Sequence, residues 1–86
     1  MGETEIGRVT HFFSNIGVAA IEITAGELKV GDTIHVKGHT SDFTTTIASM
    51  QIEHEQVQVA KKGDSIGIKV PEHAREHDIV YVVTPE

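Results

Sequence analysis

Apolar and polar residues alternate along this chain with a period of two rather than the 3.6-residue period of an amphipathic helix. Ile34 and Val36 alternate with Thr33, His35 and Lys37, and Ile66, Ile68 and Val70 alternate with Ser65, Gly67 and Lys69. Successive side chains of a strand point to opposite faces, so each run predicts one buried and one solvated face. The run Ile79-Val80-Tyr81-Val82-Val83 is continuously apolar and mostly β-branched, which predicts a strand covered on both sides. Residues 6–13 and 18–23 flank Ser14-Asn15-Ile16-Gly17 and predict a hairpin. Gly26, Gly31-Asp32, Gly38, Ser41-Asp42 and Gly63-Asp64 place turn formers between the apolar runs.

The pattern is irregular in the middle of the chain. Phe43, Thr45 and Ile47 share one parity, whereas Met50 and Ile52 have the other. A strand cannot change face without an extra residue, so a bulge or sharp bend is expected near Ala48-Ser49. A turn around His54-Glu55-Gln56 is expected to return Val57 and Val59 to the first parity. About six short strands, with turns every 8–12 residues or so, predict an all-β sandwich or barrel. We expect a small closed six-stranded antiparallel barrel, Greek-key-like, because an open sheet of this length exposes long edges. The segment from Pro71 to Asp78 has room for one helical turn begun by Pro71. It is charged and poor in apolar side chains, so it is expected to be the most mobile internal stretch.

Eighty-six residues predict one domain, residues 1–86, with its core over about 6–83. A chain this short buries only roughly 60–65% of its unfolded surface, which suits strands with one wet face. Seven Lys and Arg stand against thirteen Asp and Glu, a net charge of −6. That balance opposes a broad phosphate-neutralising grip on nucleic acid and leaves room only for a narrow pocket holding one RNA end. The absence of cysteine removes disulfides, thiolate nucleophiles and Cys-based zinc sites. No run approaches the roughly 18 apolar residues of a membrane span. The opening MGETEIGRV lacks a secretory pattern, and Ile6 stands where a myristoylation motif needs Ser or Thr. A cytoplasmic chain without a membrane partner is expected, and Met1 with the ending Pro85-Glu86 suggests a whole protein.

Candidate chemistry is sparse. In His11-Phe12-Phe13 the adjacent rings must point to opposite faces, one into the core and one outward. The outward ring, with His11, His35 or His39 beside it, suits stacking on a base or anchoring a protein. Glu53, His54 and Glu55 form an acid–imidazole group, but no nucleophile is placed near it, and a solvated turn explains it better. His73 and His77 lie four apart among Glu72, Glu76 and Asp78. That spacing holds zinc on a helix, whereas between strands it reads as a solvated tip, so no metal and no cofactor are expected. The basic residues are scattered, with only Lys61-Lys62 adjacent. No G-x-x-x-x-G-K-[ST] loop occurs, so GTP binding by this chain alone is not expected, nor is any catalytic residue.

Two segments carry a family resemblance. Gly26-Glu27-Leu28-Lys29-Val30-Gly31-Asp32-Thr33-Ile34 resembles the G-x-[LI]-K-x-G-[DE]-x-[LIV] stretch in the second domain of elongation factor Tu and its relatives. Met50-Gln51-Ile52-Glu53-His54-Glu55, then Ala60 and Gly63-Asp64-Ser65-Ile66-Gly67-Ile68, resembles that family's V-E-M-H-x-x…A-x-x-G-D-N-V-G-[VIF]. These are folding residues: Leu28 and Val30 should face the barrel mouth, Gly31-Asp32 should turn the chain, and Gly67 should allow close backbone approach. The likeness extends over about residues 6–83. It implies the translation-factor second-domain barrel, known also in standalone elongation-factor-like proteins and as C-terminal modules of collagenase-like peptidases, the standalone type being the nearer match. In the family a histidine and an asparagine help hold the aminoacylated end of transfer RNA, and here Glu53 and Ser65 stand at the matching places. A carboxylate there weakens attraction for RNA, so RNA contact should be weak. The binding candidates are therefore His11, Phe12, Phe13, Glu53, His54 and Ser65. The resemblance implies a non-catalytic binding module docking on a ribosomal or translation-factor protein surface. The acidic charge favours the alternative, an accessory or regulatory module that partners an enzyme.

Overall fold

The computed structural model describes residues 2–84, which form ten β-strands and, among these residues, no helix. In chain order they are β1 (Gly2–Phe13), β2 (Val18–Ile23), β3 (Glu27–Lys29), β4 (Thr33–Lys37) and β5 (Asp42–Thr46), followed by β6 (Met50–Ile52), β7 (Glu55–Val57), β8 (Val59–Lys61), β9 (Ser65–Lys69) and β10 (Ile79–Thr84). All pairings are antiparallel. Eight strands make one sheet in the order β5-β4-β10-β1-β2-β9-β6-β7, and β3 pairs with β8 in a separate ladder.

That small ladder runs on by one rung past the Lys29–Val59 pair, where Val30 N–H donates to the Gln58 carbonyl at 3.0 Å. It is tied to the β5 end of the large sheet, where Gly31 N–H donates to the Ile47 carbonyl and Ile47 N–H to the Asp32 carbonyl, each at 2.9 Å. At the β7 end the chain itself continues from β7 through Gln58 into β8. The barrel wall is thus made of two hydrogen-bonded ladders rather than one continuous ring. Inside it, Ile21, Ile23, Leu28, Ile34, Val36, Ile47, Met50, Ile66, Ile68 and Val80 belong to a single buried cluster drawn from both ladders. The expected all-β antiparallel fold is what forms, with ten strands in place of the six expected.

β1 holds the sheet together by pairing with β10 and then β2. Its register shifts between Glu5 and Gly7 and again between Val9 and His11. Two such irregularities in one long strand allow it to coil around the core. The bend expected near Ala48-Ser49 is present: β5 leaves its ladder with β4, and β6 begins against β9 with Met50 buried.

Four expectations are corrected. The turn after β6 is Glu53-His54, one residue earlier than predicted, because Ile52 pairs directly with Glu55. Val59 does not return to the core; a bend at Gln58 reverses the parity, leaving Val59 39% exposed and Ala60 buried. β10 is fully buried only at Val80, since Ile79, Tyr81, Val82 and Val83 all remain half-buried. The segment 71–78 forms no helical turn. From Ala74 onward it packs against β1 instead, with Ala74 and Asp78 buried, Val9 N–H donating to the Asp78 carbonyl and His77 N–H to the Val9 carbonyl, both at 2.8 Å.

Candidate functional site

Two hairpin tips and the middle of the sheet define the main hollow. The β1–β2 hairpin closes with Gly17 at φ 68° and with Gly17 N–H donating to the Phe13 carbonyl at 2.8 Å. This turn leaves Phe13 43% and Ile16 58% exposed, the most exposed large apolar side chains among the described residues. The β6–β7 hairpin turns on Glu53 and His54, at φ 52° and 68°. A two-residue hairpin loop with both φ values positive suits Asn-Gly, and residues with a β-carbon are strained there by about 1–3 kcal/mol each.

Between the tips, Ala20, Gly67 and Gln51 lie in register across β2, β9 and β6 on the outer face of the barrel. Two of these three are small, so the sheet surface sinks there into an open hollow of about 370 Å³. Phe13, Ile16 and Val18 form its apolar wall, and Glu53, His54 and Ser65 stand at its polar side. By the family resemblance Gly67 should permit close backbone approach. A β-carbon at Gly67 would instead meet only Val18 Cγ1, at 3.4 Å, an ordinary contact. Nothing in the protein fills the place of the missing side chain; the space belongs to the hollow.

The six candidate residues therefore divide into two groups. Phe13, Glu53, His54 and Ser65 line the same hollow. Phe12 points the other way, half-buried against the core, as adjacent strand residues must. Its ring lies 4.4 Å from that of His73, and with His11, Ala74, Arg75 and Glu76 it lines a second hollow of about 360 Å³. His11 links the two faces, its ring 4.5 Å from Phe13 in an edge-on arrangement and its Nδ1 3.8 Å from Glu76 Oε1. Among the described residues no three His, Asp or Glu side chains converge as a metal ion would require. Ile16 was missed because an apolar residue inside a turn carries no signal of where it points.

His35 does not join the aromatic group. It lies on β4 with its side chain 16% exposed, Nδ1 facing the Glu3 carboxylate at 2.9–3.0 Å and Nε2 facing Asp42 Oδ1. Both ring nitrogens donate only in the imidazolium form. The hydrogen bond to Asp42, then that to Glu3, raises the His35 pKa above its ordinary value, against the opposing effect of burial. The same contact holds the Asp42 carboxyl below its ordinary value. Local sequence could not reveal this group, because Glu3 and His35 are 32 positions apart.

Comparison with known proteins places this geometry in context. The family described as elongation factor Tu domain 2 matches residues 17–80. An uncharacterized protease of Methanocaldococcus jannaschii is 44% identical over 80 residues, covering 92% of this chain and 19% of the protease. A collagenase of Porphyromonas gingivalis is 36% identical over 80 residues, covering 92% of the chain and 22% of the collagenase. The chain thus spans about a fifth of the length of these curated relatives. Among solved structures, the C-terminal domain of a putative U32 peptidase from Geobacillus thermoleovorans aligns with a TM-score of 0.86 at 17% identity, covering 93% of this chain and 92% of that one. GDP-bound aIF5B from Aeropyrum pernix aligns with a TM-score of 0.71 at 17% identity, covering 95% of this chain and 15% of that one. The expectation that the standalone elongation-factor-like type is the nearer match gives way here, since these sequence relatives are named as protease and collagenase.

Proposed function

Because this chain belongs to the family of elongation factor Tu second domains, and its sequence relatives are peptidases several times its length, we propose that it is a non-catalytic interaction module partnering an enzyme of the peptidase kind. The observation that carries this reading is the 44% identity to one segment, a fifth of the length, of a chain named as a protease. The geometry agrees with it. The described surface offers an apolar hollow with two exposed anchors, Phe13 and Ile16, of the type that interfaces bury. Among the described residues no hydrogen bond joins the Ser65 hydroxyl to His54 or Glu53, which share the β6–β7 turn while Ser65 and Gln51 stand on β9 and β6.

The second reading, docking on a ribosomal or translation-factor surface, is supported by the likeness to aIF5B in fold alone. A net charge of −6 weighs against an RNA-facing role. Calorimetric titration separates the two readings. The purified chain should bind the Methanocaldococcus protease lacking its own matching segment, with little change in affinity between low and moderate salt. Phe13→Ser should weaken that binding by more than about 2 kcal/mol if the ring is an anchor. Binding to ribosomes or transfer RNA instead, with log affinity falling linearly in log salt, would reverse the order of the two readings.

A further inference from the structure

We infer that the hollow between the two hairpin tips receives an apolar side chain of an extended protein segment whose neighbouring residue is lysine or arginine. This rests on the reading of the chain as a protein-interaction module and names the chemistry of its partner.

The first support is the floor. Gly67 lies inside β9, where glycine weakens a strand, yet its φ is not positive and a β-carbon would find room. The fold does not require glycine there, whereas a recess does: any larger side chain on this outward position would fill the hollow. The second support is the rim. Glu53 and His54 hold the two positions of the hairpin where Asn-Gly would be relaxed. Strain of this kind persists where the side chains have a use, and both side chains line the hollow.

Charge then selects the occupant. Among the described residues Glu53 is the only carboxylate lining the hollow, and no lysine or arginine lines it. The chain as a whole carries −6. A phosphate is repelled from such a rim. A cationic side chain is drawn to it, its aliphatic stem lying along Phe13 or Ile16 while its head reaches the carboxylate. The apolar wall accepts the neighbouring side chain of the same segment. A volume of about 370 Å³ is at the lower end of the range for small-ligand sites, which suits a side chain rather than a whole folded element.

The test uses amide NMR spectra of the full chain with three end-blocked tetrapeptides, Gly-Leu-Lys-Gly, Gly-Leu-Glu-Gly and Gly-Ser-Lys-Gly, and with the trinucleotide cytidine-cytidine-adenosine. Millimolar Gly-Leu-Lys-Gly is expected to move the Ile16, Ser65 and Gly67 resonances, and the other two peptides much less. Glu53→Lys should weaken Gly-Leu-Lys-Gly by about tenfold or more and favour Gly-Leu-Glu-Gly. Phe13→Ser, at an exposed tip where folding is little affected, should weaken both. Equal shifts from the lysine and glutamate peptides, no shift at these amides, or shifts with the trinucleotide alone would overturn the inference. Retained protease binding by Glu53→Lys would overturn the inference and leave the interaction-module reading standing. Lost protease binding by the unaltered chain, with the peptide response intact, would remove only the latter.

Discussion

His35 is a single side chain that ties three strands together. Its ring joins Glu3 on β1, its own strand β4, and Asp42 on β5 at the edge of the sheet. Other groups around it are Tyr81 on β10, whose ring lies 6.1 Å away, and Lys37 on β4, which also acts on Asp42. Because the folded pKa of His35 is raised, its contribution to stability is full below its ordinary 6.5 and fades as pH climbs through the raised value. The lowered pKa of Asp42 gives the opposite dependence: its contribution is full above its ordinary 3.8 and fades as pH falls through the lowered value. The two overlap between 3.8 and 6.5. The melting temperature of the chain minus that of His35→Gln should therefore be largest near pH 5 and shrink toward pH 9. A difference that grows with pH would refute the assignment.

Gly7 is the second residue on which the fold turns. It pairs with Ile23 next to the first irregularity of β1, and a β-carbon there would lie 2.3 Å from the Glu22 carbonyl oxygen. That oxygen belongs to the backbone of a paired strand and cannot swing aside. Gly7→Ala should cost about 1–3 kcal/mol or more, read as a lower urea midpoint. Gly67→Ala, with only Val18 Cγ1 nearby at 3.4 Å, should leave stability unchanged or slightly raised. Sequence alone does not distinguish these two strand glycines, because the difference is made by a carbonyl on a neighbouring strand.

At the scale of elements, one corner occurs three times. Lys29-Val30-Gly31-Asp32, Lys61-Lys62-Gly63-Asp64 and Arg75-Glu76-His77-Asp78 each close with the Asp carboxylate accepting from the first residue's N–H at 2.9 Å. In each, the Asp N–H donates back to that residue's carbonyl, at 3.0, 2.9 and 3.2 Å. The third residue has positive φ in all three: 97° at Gly31, 96° at Gly63 and 75° at His77. The first two corners were legible as Gly-Asp pairs. The third was not, because a histidine occupies the left-handed position and nothing local marks it. His77→Gly should relieve that strain and raise stability by up to about 1 kcal/mol in chemical denaturation, the glycine entropy loss offsetting part of the gain. A clear loss would mean that the His77 side chain supports the corner.

The β3–β8 ladder is the other element decided by packing. It has three residues on each strand, too few to be stable alone, yet Leu28 at its centre is completely buried in the common core. Leu28→Ala should cost about 2–5 kcal/mol and open the seam between β5 and β7. Faster hydrogen exchange at the Val30 and Ile47 amides than at β1 and β2 would show that opening.

At the scale of the whole molecule, the acidic surface and the single core fix what the barrel presents outward. Among the described residues no helix is long and apolar enough to cross a membrane. With most inward positions occupied by Ile, Val, Leu and Met, the features left for recognition are hairpin tips and outward strand positions.

By itself the sequence determined the strand periodicity, the Gly-Asp corners, the parity break near Ala48 and the opposite facing of Phe12 and Phe13. All of these are set by interactions between residues close along the chain. The family resemblance also implied that Glu53 and Ser65 stand at matching places of one pocket. Only the tertiary structure decided that Phe13 and Ile16 wall the same hollow as Glu53, His54 and Ser65, that Phe12 and His11 serve another, and that His35 bridges Glu3 and Asp42. Strand pairing set those juxtapositions, bringing together residues tens of positions apart, and local pattern carries no information about which strands will become neighbours.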